Sequence, residues 1–163
     1  MGARNSAKAI IIDGNKILLN KCQSPPDGLA AGAVYYCLPG GGQNRYETLE
    51  EAVVRECIEE TGYTVSPVRL AAVYEEIVTN EKFRLKHAEY AHKVYFIFVC
   101  RLADAQAQPP TEIDLDMLCS EWINLDELDS IPMYPAAVRA NIKAMIEQKT
   151  VLYFGADRIG APA

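Results

Sequence analysis

Leu38-Pro39-Gly40-Gly41-Gly42-Gln43-Asn44-Arg45-Tyr46-Glu47-Thr48-Leu49-Glu50-Glu51-Ala52-Val53-Val54-Arg55-Glu56-Cys57-Ile58-Glu59-Glu60-Thr61-Gly62-Tyr63-Thr64-Val65 decides how the rest of this chain is read. Three consecutive glycines lead into a segment in which Glu47, Glu50, Glu51, Glu56, Glu59 and Glu60 fall within fourteen residues. Val34–Leu38, rich in β-formers, runs into Pro39 and the glycines. Thr48 followed by Glu51 is a capping box, which satisfies free amides at a helix start. Gly62 is a stop signal, because a helix commonly ends on a left-handed glycine. The pattern predicts strand, glycine-rich loop, then a helix over about Leu49–Thr61.

With Glu56 at zero on a helical wheel, Glu59 falls at about −60° and Glu60 at about +40°. Val53, Val54, Cys57 and Ile58 occupy the arc from about +60° to +200°. One face is thus expected to pack on a sheet and the other to present carboxylates. Arg55 is the only cation inside the helix, with Glu47, Glu51 and Glu59 in reach. Like charges at this spacing destabilise a helix, so the surplus negative charge needs a partner. Hard carboxylate oxygens suit Mg²⁺ or Mn²⁺, and Mg²⁺ is commonly bridged to substrate phosphates. That points toward phosphoryl or diphosphate chemistry. A Glu-rich helix face is ordinarily just solvated; here it directly follows Pro-Gly-Gly-Gly, whose backbone a ligand can approach closely.

Gly41, five residues, Glu47, seven residues, then Arg55-Glu56-Cys57-Ile58-Glu59-Glu60-Thr61-Gly62-Tyr63 resembles the Nudix box, G-x5-E-x7-R-E-U-x-E-E-x-G-U, with U an apolar residue. Every charged and glycine position matches. Cys57 and Tyr63 stand at the U positions, and Tyr46 stands where many members have a glycine, read as a looser loop constraint. The resemblance implies an α/β fold, a Nudix-type α/β/α sandwich with a mixed β-sheet. It also implies hydrolysis of a diphosphate linkage in a nucleoside diphosphate derivative, a nucleoside triphosphate, a nucleotide sugar or similar. By position, Glu56, Glu59, Glu60 and the Gly40 carbonyl resemble the metal ligands for Mg²⁺ or Mn²⁺. Arg55 resembles the residue that orients a catalytic glutamate, with Glu47 in support. The general base varies among such proteins: a box glutamate, or a later carboxylate from Glu112, Asp114 and Asp116, of which Asp116 is the first choice.

Substrate choice lies outside the box. Gly41 and Gly42 are expected to face the substrate, and Tyr35, Tyr36, Tyr90 or Tyr134 to stack on a base, with Tyr36 taken forward. Lys82, Arg84, Lys86 and Lys93 are candidates for phosphates, although surface lysines usually do nothing so specific. The segment that marks NADH pyrophosphatases is missing, as are the proline of ADP-ribose hydrolases and the tyrosine of dinucleoside polyphosphate hydrolases. A small nucleotide is the expected class. Two other readings stand beside it: a nucleotide-binding module without catalysis, and RNA-end processing on the same fold.

Outward from the box, Ala7–Ile12 and Ile17–Leu19 read as a β-hairpin around Asp13-Gly14-Asn15. Gln23–Ala33 reads as a loop, Val68–Val78 as a strand, Thr79–Ala91 as a loop or hairpin turn, and Lys93–Leu102 as a central strand. Ala103–Ser120 reads as a loop, Glu121–Leu125 as a short strand carrying Trp122, and Ala136–Gln148 as a helix with Val138, Ile142, Met145 and Ile146 on its apolar face. Val151–Phe154 reads as a last strand and the tail from Gly155 as poorly anchored. Strands around two helices suggest a mixed sheet between helical layers, one domain over 1–163 with a core near 7–155.

The chain has 163 residues and a formal net charge of −6. That balance disfavours a stable nucleic-acid partner. The five cysteines are odd in number, scattered and without Cys-x-x-Cys spacing, which reads as reduced thiols in a cytoplasmic protein. No apolar run is long enough for a membrane span. Met1-Gly2-Ala3-Arg4-Asn5-Ser6 fits an N-myristoylation pattern, but three fixed positions match readily by chance. A homodimer is a family-level expectation only.

Overall fold

The computed structural model describes residues 2–23, 32–104 and 106–160. Eight strands and three α-helices follow in the order β1 (Arg4–Asp13), β2 (Lys16–Cys22), β3 (Tyr35–Cys37), β4 (Gly40–Gly42), α1 (Leu49–Thr61), β5 (Val65–Val78), α2 (Glu81–Lys86), β6 (His92–Leu102), β7 (Met117–Asn124), α3 (Ala136–Glu147) and β8 (Leu152–Ile159). The sheet is mixed. Its path runs β3-β2-β1-β6-β5-β8, with β4 paired to β1 and β7 to β2. β1 runs parallel to β6 and β5 parallel to β8; the other pairs are antiparallel.

Strand alternation builds the two faces. On β1, Ala7, Ala9 and Ile11 pack with Ala52, Val53 and Cys57 of α1, while Ile10 packs with Val138, Ile142 and Met145 of α3. On β6, Phe98 and Cys100 join the α1 side, and Tyr95 and Ile97 the α3 side. Side chains two apart share a face, so one sheet is covered by a helix on each side. The expected α/β/α sandwich forms. Arg69 of β5 donates to the carbonyls of Met145 and Ile146 at the end of α3, where free carbonyls and the helix dipole favour a cation.

Helix α1 occupies the predicted span. Thr48 and Glu51 make the reciprocal capping box, and Gly62 ends the helix at φ 73°. Its packing face is turned from the expected one. Ala52, Val53, Cys57, Glu60 and Thr61 are buried, whereas Val54 and Ile58 are half-buried. Glu60 lies inside that face because polar partners wait for it there.

Several boundaries differ. Thr79–Ala91 is not a plain loop: Asn80 accepts from the Phe83 amide at 3.0 Å and caps α2, and the helix formers that follow complete the turn. β5 begins at Val65 and carries Pro67 at a register shift against β6, a position where its missing N–H is tolerated. β7 begins at Met117, inside the stretch read as loop, because β2 supplies a partner as far as Cys22. The segment from Gly155 is anchored, since β8 pairs with β5 through Ile159. Most of the Gln23–Ala33 loop, residues 24–31, lies outside the described residues. Among the described residues, no helix is long and apolar enough to cross a membrane.

Candidate active site

The triple glycine forms β4, paired with Ser6, Ala7 and Lys8 of β1. Each glycine is needed for a different neighbour. Gly40 sits at φ 120°, and a Cβ there would collide with the Ala7 carbonyl. At Gly41 a Cβ would fall 2.5 Å from Glu56 Oε2, and at Gly42 it would strike the Arg4 guanidinium. Gly41 and Gly42 thus admit the protein's own charged side chains, and Gly40 admits the neighbouring backbone. All three carbonyls are also taken: Gly40 O by Lys8 Nζ, Gly41 O by Ser6 Oγ at 3.1 Å, and Gly42 O by Arg55 Nη2 at 2.9 Å.

Arg55 is the hub of the acidic cluster. Its Nε donates to Glu47 Oε1 at 2.7 Å and its Nη2 to Glu47 Oε2 at 3.0 Å. Its Nη1 donates to Glu56 Oε1 at 2.9 Å and to Glu59 Oε2 at 2.8 Å. A planar guanidinium suits this multi-point grip. Glu60 is only 6% exposed; its Oε2 accepts from Gly40 N–H at 2.7 Å and from Asn20 Nδ2 at 2.7 Å. Asn20 in turn accepts from Ser120 at 2.9 Å.

These surroundings separate the carboxylates. The Arg55 hydrogen bonds hold Glu47 below the usual range. Burial pushes Glu56 upward against the pull of Arg55. Burial also pushes Glu60 upward, opposed first by the Lys8 charge and then by the Gly40 and Asn20 hydrogen bonds. Desolvation disfavours the charged form of a carboxylate. Pairs of acids pushed in opposite directions are a feature of functional sites.

Beside this cluster lies a cavity of about 550 Å³, lined by Lys8, Gly40–Gly42, Glu60, Asp114 and Asp116 on one side and by Tyr35, Tyr90 and Tyr134 on another. Tyr35 and Tyr134 meet edge to face with centroids 6.3 Å apart. Tyr36 does not line this cavity; its hydroxyl donates to Glu121 Oε2 at 3.0 Å. Glu47, Arg55 and Glu59 face a shallower depression with Thr48 and Glu51. The structure therefore brings Asp116, Glu60 and Gly40–Gly42 to the cavity and leaves Glu47, Arg55, Glu56, Glu59, Glu112 and Tyr36 off its wall; Glu56 reaches the glycine strand at Gly41 instead. Glu112 instead donates its amide to the Glu59 carbonyl at 3.0 Å. Lys93 lines the cavity, but its ammonium pairs at 3.0 Å with Glu76, which is 1% exposed and also accepts from the Tyr134 hydroxyl.

Sequence reasoning missed Lys8, Ser6 and Asn20. A signal was present: Lys8 interrupts the apolar run Ala7–Ile12, and Asn20 follows Ile17–Leu19. A polar side chain inside a buried strand needs a partner.

The residues were tested for a divalent cation on charge and donor type. Glu47, Glu56, Glu59 and Glu60 are set against Arg55 and Lys8, a surplus of carboxylates that a divalent ion can offset. The donors are all hard oxygens. The chemistry fits. In their positions here, among the described residues, no three His, Cys, Asp or Glu side chains are grouped to hold a metal. Arg55 lies between Glu56 and Glu59, and Lys8 sits on the Gly40 carbonyl.

Comparison with known proteins bears on the family and the fold. The model of the NUDIX domain matches residues 2–145. A putative nudix hydrolase 1 from Caenorhabditis elegans is 32% identical over 91 residues, 56% of this chain but 21% of that protein. The chain thus matches about a fifth of that relative's length. A NUDIX hydrolase from Nitrosomonas europaea superposes with a TM-score of 0.66 at 21% identity, over 87% of each chain. An ADP-ribose pyrophosphatase from Streptococcus suis gives 0.62 at 22% identity, over 96% of this chain and 100% of that one. A MutT NUDIX hydrolase from Burkholderia pseudomallei gives 0.61 at 27% identity, over 92% and 100%. The family match over most of the chain, the sandwich fold and the Arg55-centred cluster agree, and the chain belongs to the Nudix hydrolase family.

Proposed function

We propose that this chain hydrolyses a diphosphate linkage in a small nucleoside diphosphate derivative, with Mg²⁺ or Mn²⁺. The observation that carries the reading is the convergence of Arg55, Glu56 and Glu60 on the glycine strand at the wall of the cavity. Glu56, Glu59, Glu60 and the Gly40 carbonyl are the residues that would hold the metal. A bound divalent ion supplies charge stabilisation on phosphate oxygens and lowers the pKa of a bound water. Arg55 orients Glu56 and Glu59, and Glu47 fixes Arg55 in turn. Asp116, on the cavity wall, is the proposed general base that takes the proton of the attacking water. Tyr35 and Tyr134 supply apolar surface for a base, in place of Tyr36. The ADP-ribose pyrophosphatase likeness is one of fold at 22% identity, so the substrate class rests on family membership and on the cavity.

The test is a Mg²⁺ and Mn²⁺ activity screen over nucleoside triphosphates, nucleotide sugars and dinucleotides, with products identified by mass spectrometry. Hydrolysis that disappears in Glu60→Gln, in a variant that melts as a folded protein, is the expected outcome. Near-normal turnover in that variant removes the metal assignment. Binding of a nucleotide without turnover favours a binding module, and turnover restricted to capped RNA favours end processing.

A further inference from the structure

Lys8 reaches the glycine strand from the middle of β1. It is half-buried on β1, lines the cavity, and donates to the Gly40 carbonyl. Among the described residues no carboxylate lies within ion-pair distance of it, yet its charge acts on both Glu56 and Glu60. It therefore serves as a diffuse counter-charge for two poorly hydrated carboxylates, without being locked to either. We propose that Lys8 is a built-in competitor for the divalent cation: its ammonium occupies the Gly40 carbonyl that the metal would take, so metal binding and displacement of Lys8 are one event. The inference rests on the metal reading above.

The electrostatics follow from the positions. An ammonium and a divalent ion on one carbonyl oxygen repel strongly where water is scarce. The lysine stem is flexible and its head is a point charge with three donors, so it can leave Gly40 for the cavity. On the proposed reading that cavity receives the anionic diphosphate. Substrate then gives the displaced ammonium a new partner, and substrate and metal favour each other's binding, reciprocally.

The experiment is Mn²⁺ titration calorimetry on the full chain without nucleotide, for wild type, Lys8→Met, Lys8→Gln and Lys8→Arg. Lys8→Met is expected to bind Mn²⁺ at least tenfold more tightly than wild type. Lys8→Gln should move in the same direction, and Lys8→Arg should stay within threefold of wild type because the charge is kept. The tight site in Lys8→Met should vanish on adding Glu60→Gln. Thermal melts check folding, and Lys8→Gln decides if Lys8→Met does not fold. Equal or weaker Mn²⁺ affinity in the neutral variants overturns the competitor role and leaves the metal reading standing. No Mn²⁺ binding by any of the proteins overturns both.

Discussion

Arg55 grips Glu47 at two points, Nε to Oε1 at 2.7 Å and Nη2 to Oε2 at 3.0 Å, while its remaining nitrogen holds Glu56 and Glu59. One planar group thus ties the loop before α1 to the helix itself. Arg55→Lys keeps the charge and loses the fork. The expected cost is about 1.5–3 kcal/mol in urea unfolding, the range for hydrogen bonds to charged groups. In the proposed reaction kcat should fall at least tenfold, because Glu56 and Glu59 lose their common anchor. Unchanged stability and turnover would contradict the hub role.

Glu47 and Glu60 should respond to pH with opposite signs. Glu47 is held low by Arg55, so its stabilisation is complete above the unfolded-chain value of about 4.3. It is lost as pH falls through the lower folded value. Glu47→Gln should therefore be less stable than wild type at pH 7, with the gap closing below about pH 4. Glu60 is raised by burial, so its ionisation costs stability above its folded value and costs nothing below about pH 4.3. Glu60→Gln should melt at or above the wild-type temperature at pH 7, and converge with it in acid. Melting curves from acid to neutral pH check both.

Tyr46 adopts φ 69° with its side chain 96% exposed. The position resembles one that is often glycine, and the loop constraint is retained here, not relaxed: the backbone is left-handed although the residue is not suited to it. Left-handed geometry costs an L-residue about 1–2 kcal/mol, offset in part by the extra chain entropy of glycine. Tyr46→Gly should stabilise by about 1 kcal/mol in denaturant unfolding. A loss of stability would mean that the contact of the Arg45 guanidinium with the ring, 5.8 Å from its centroid, outweighs the backbone relief.

Gly62 closes α1 at φ 73°, and a Cβ there would run into the Gln108 carbonyl. Its own carbonyl accepts from the Gln108 amide at 2.9 Å. Gly62→Ala therefore meets both the left-handed penalty and a backbone that cannot yield. A loss of at least about 2 kcal/mol is expected, measurable by thermal or urea unfolding. A loss below about 1 kcal/mol would indicate that the backbone at Gln108 moves aside freely.

Helix α1 and its caps were legible from Thr48, Glu51 and Gly62 because those signals are local. The two-layer cover was legible from the order of strands around two helices and from the helical spacing of Val138, Ile142 and Met145. The orientation of α1 was not, since Glu60 counts as polar on a wheel and only Asn20 and the Gly40 amide make its burial tolerable. Tyr36 and Tyr35 could not be told apart either. They are adjacent on β3, and which of them faces the cavity depends on the register with β2. Lys8 interrupts an apolar run, but its partner is a carbonyl, which leaves no trace in residue type, so the sequence marks the residue without naming its contact. β8 beyond Phe154 depended on a neighbour, β5, some eighty residues away.

β4 pairs with β1 alone and is an edge of the sheet. Open edges invite strands from other chains, which add by hydrogen-bonding to unpaired backbone groups. Here Lys8, Ser6 and Arg55 already fill the carbonyls of all three glycines. Each of these acceptors is already occupied once, and the Gly40 amide is spent on Glu60, so the strand offers a foreign chain fewer free backbone groups. The donors that hold the glycine strand thus also blunt an exposed edge.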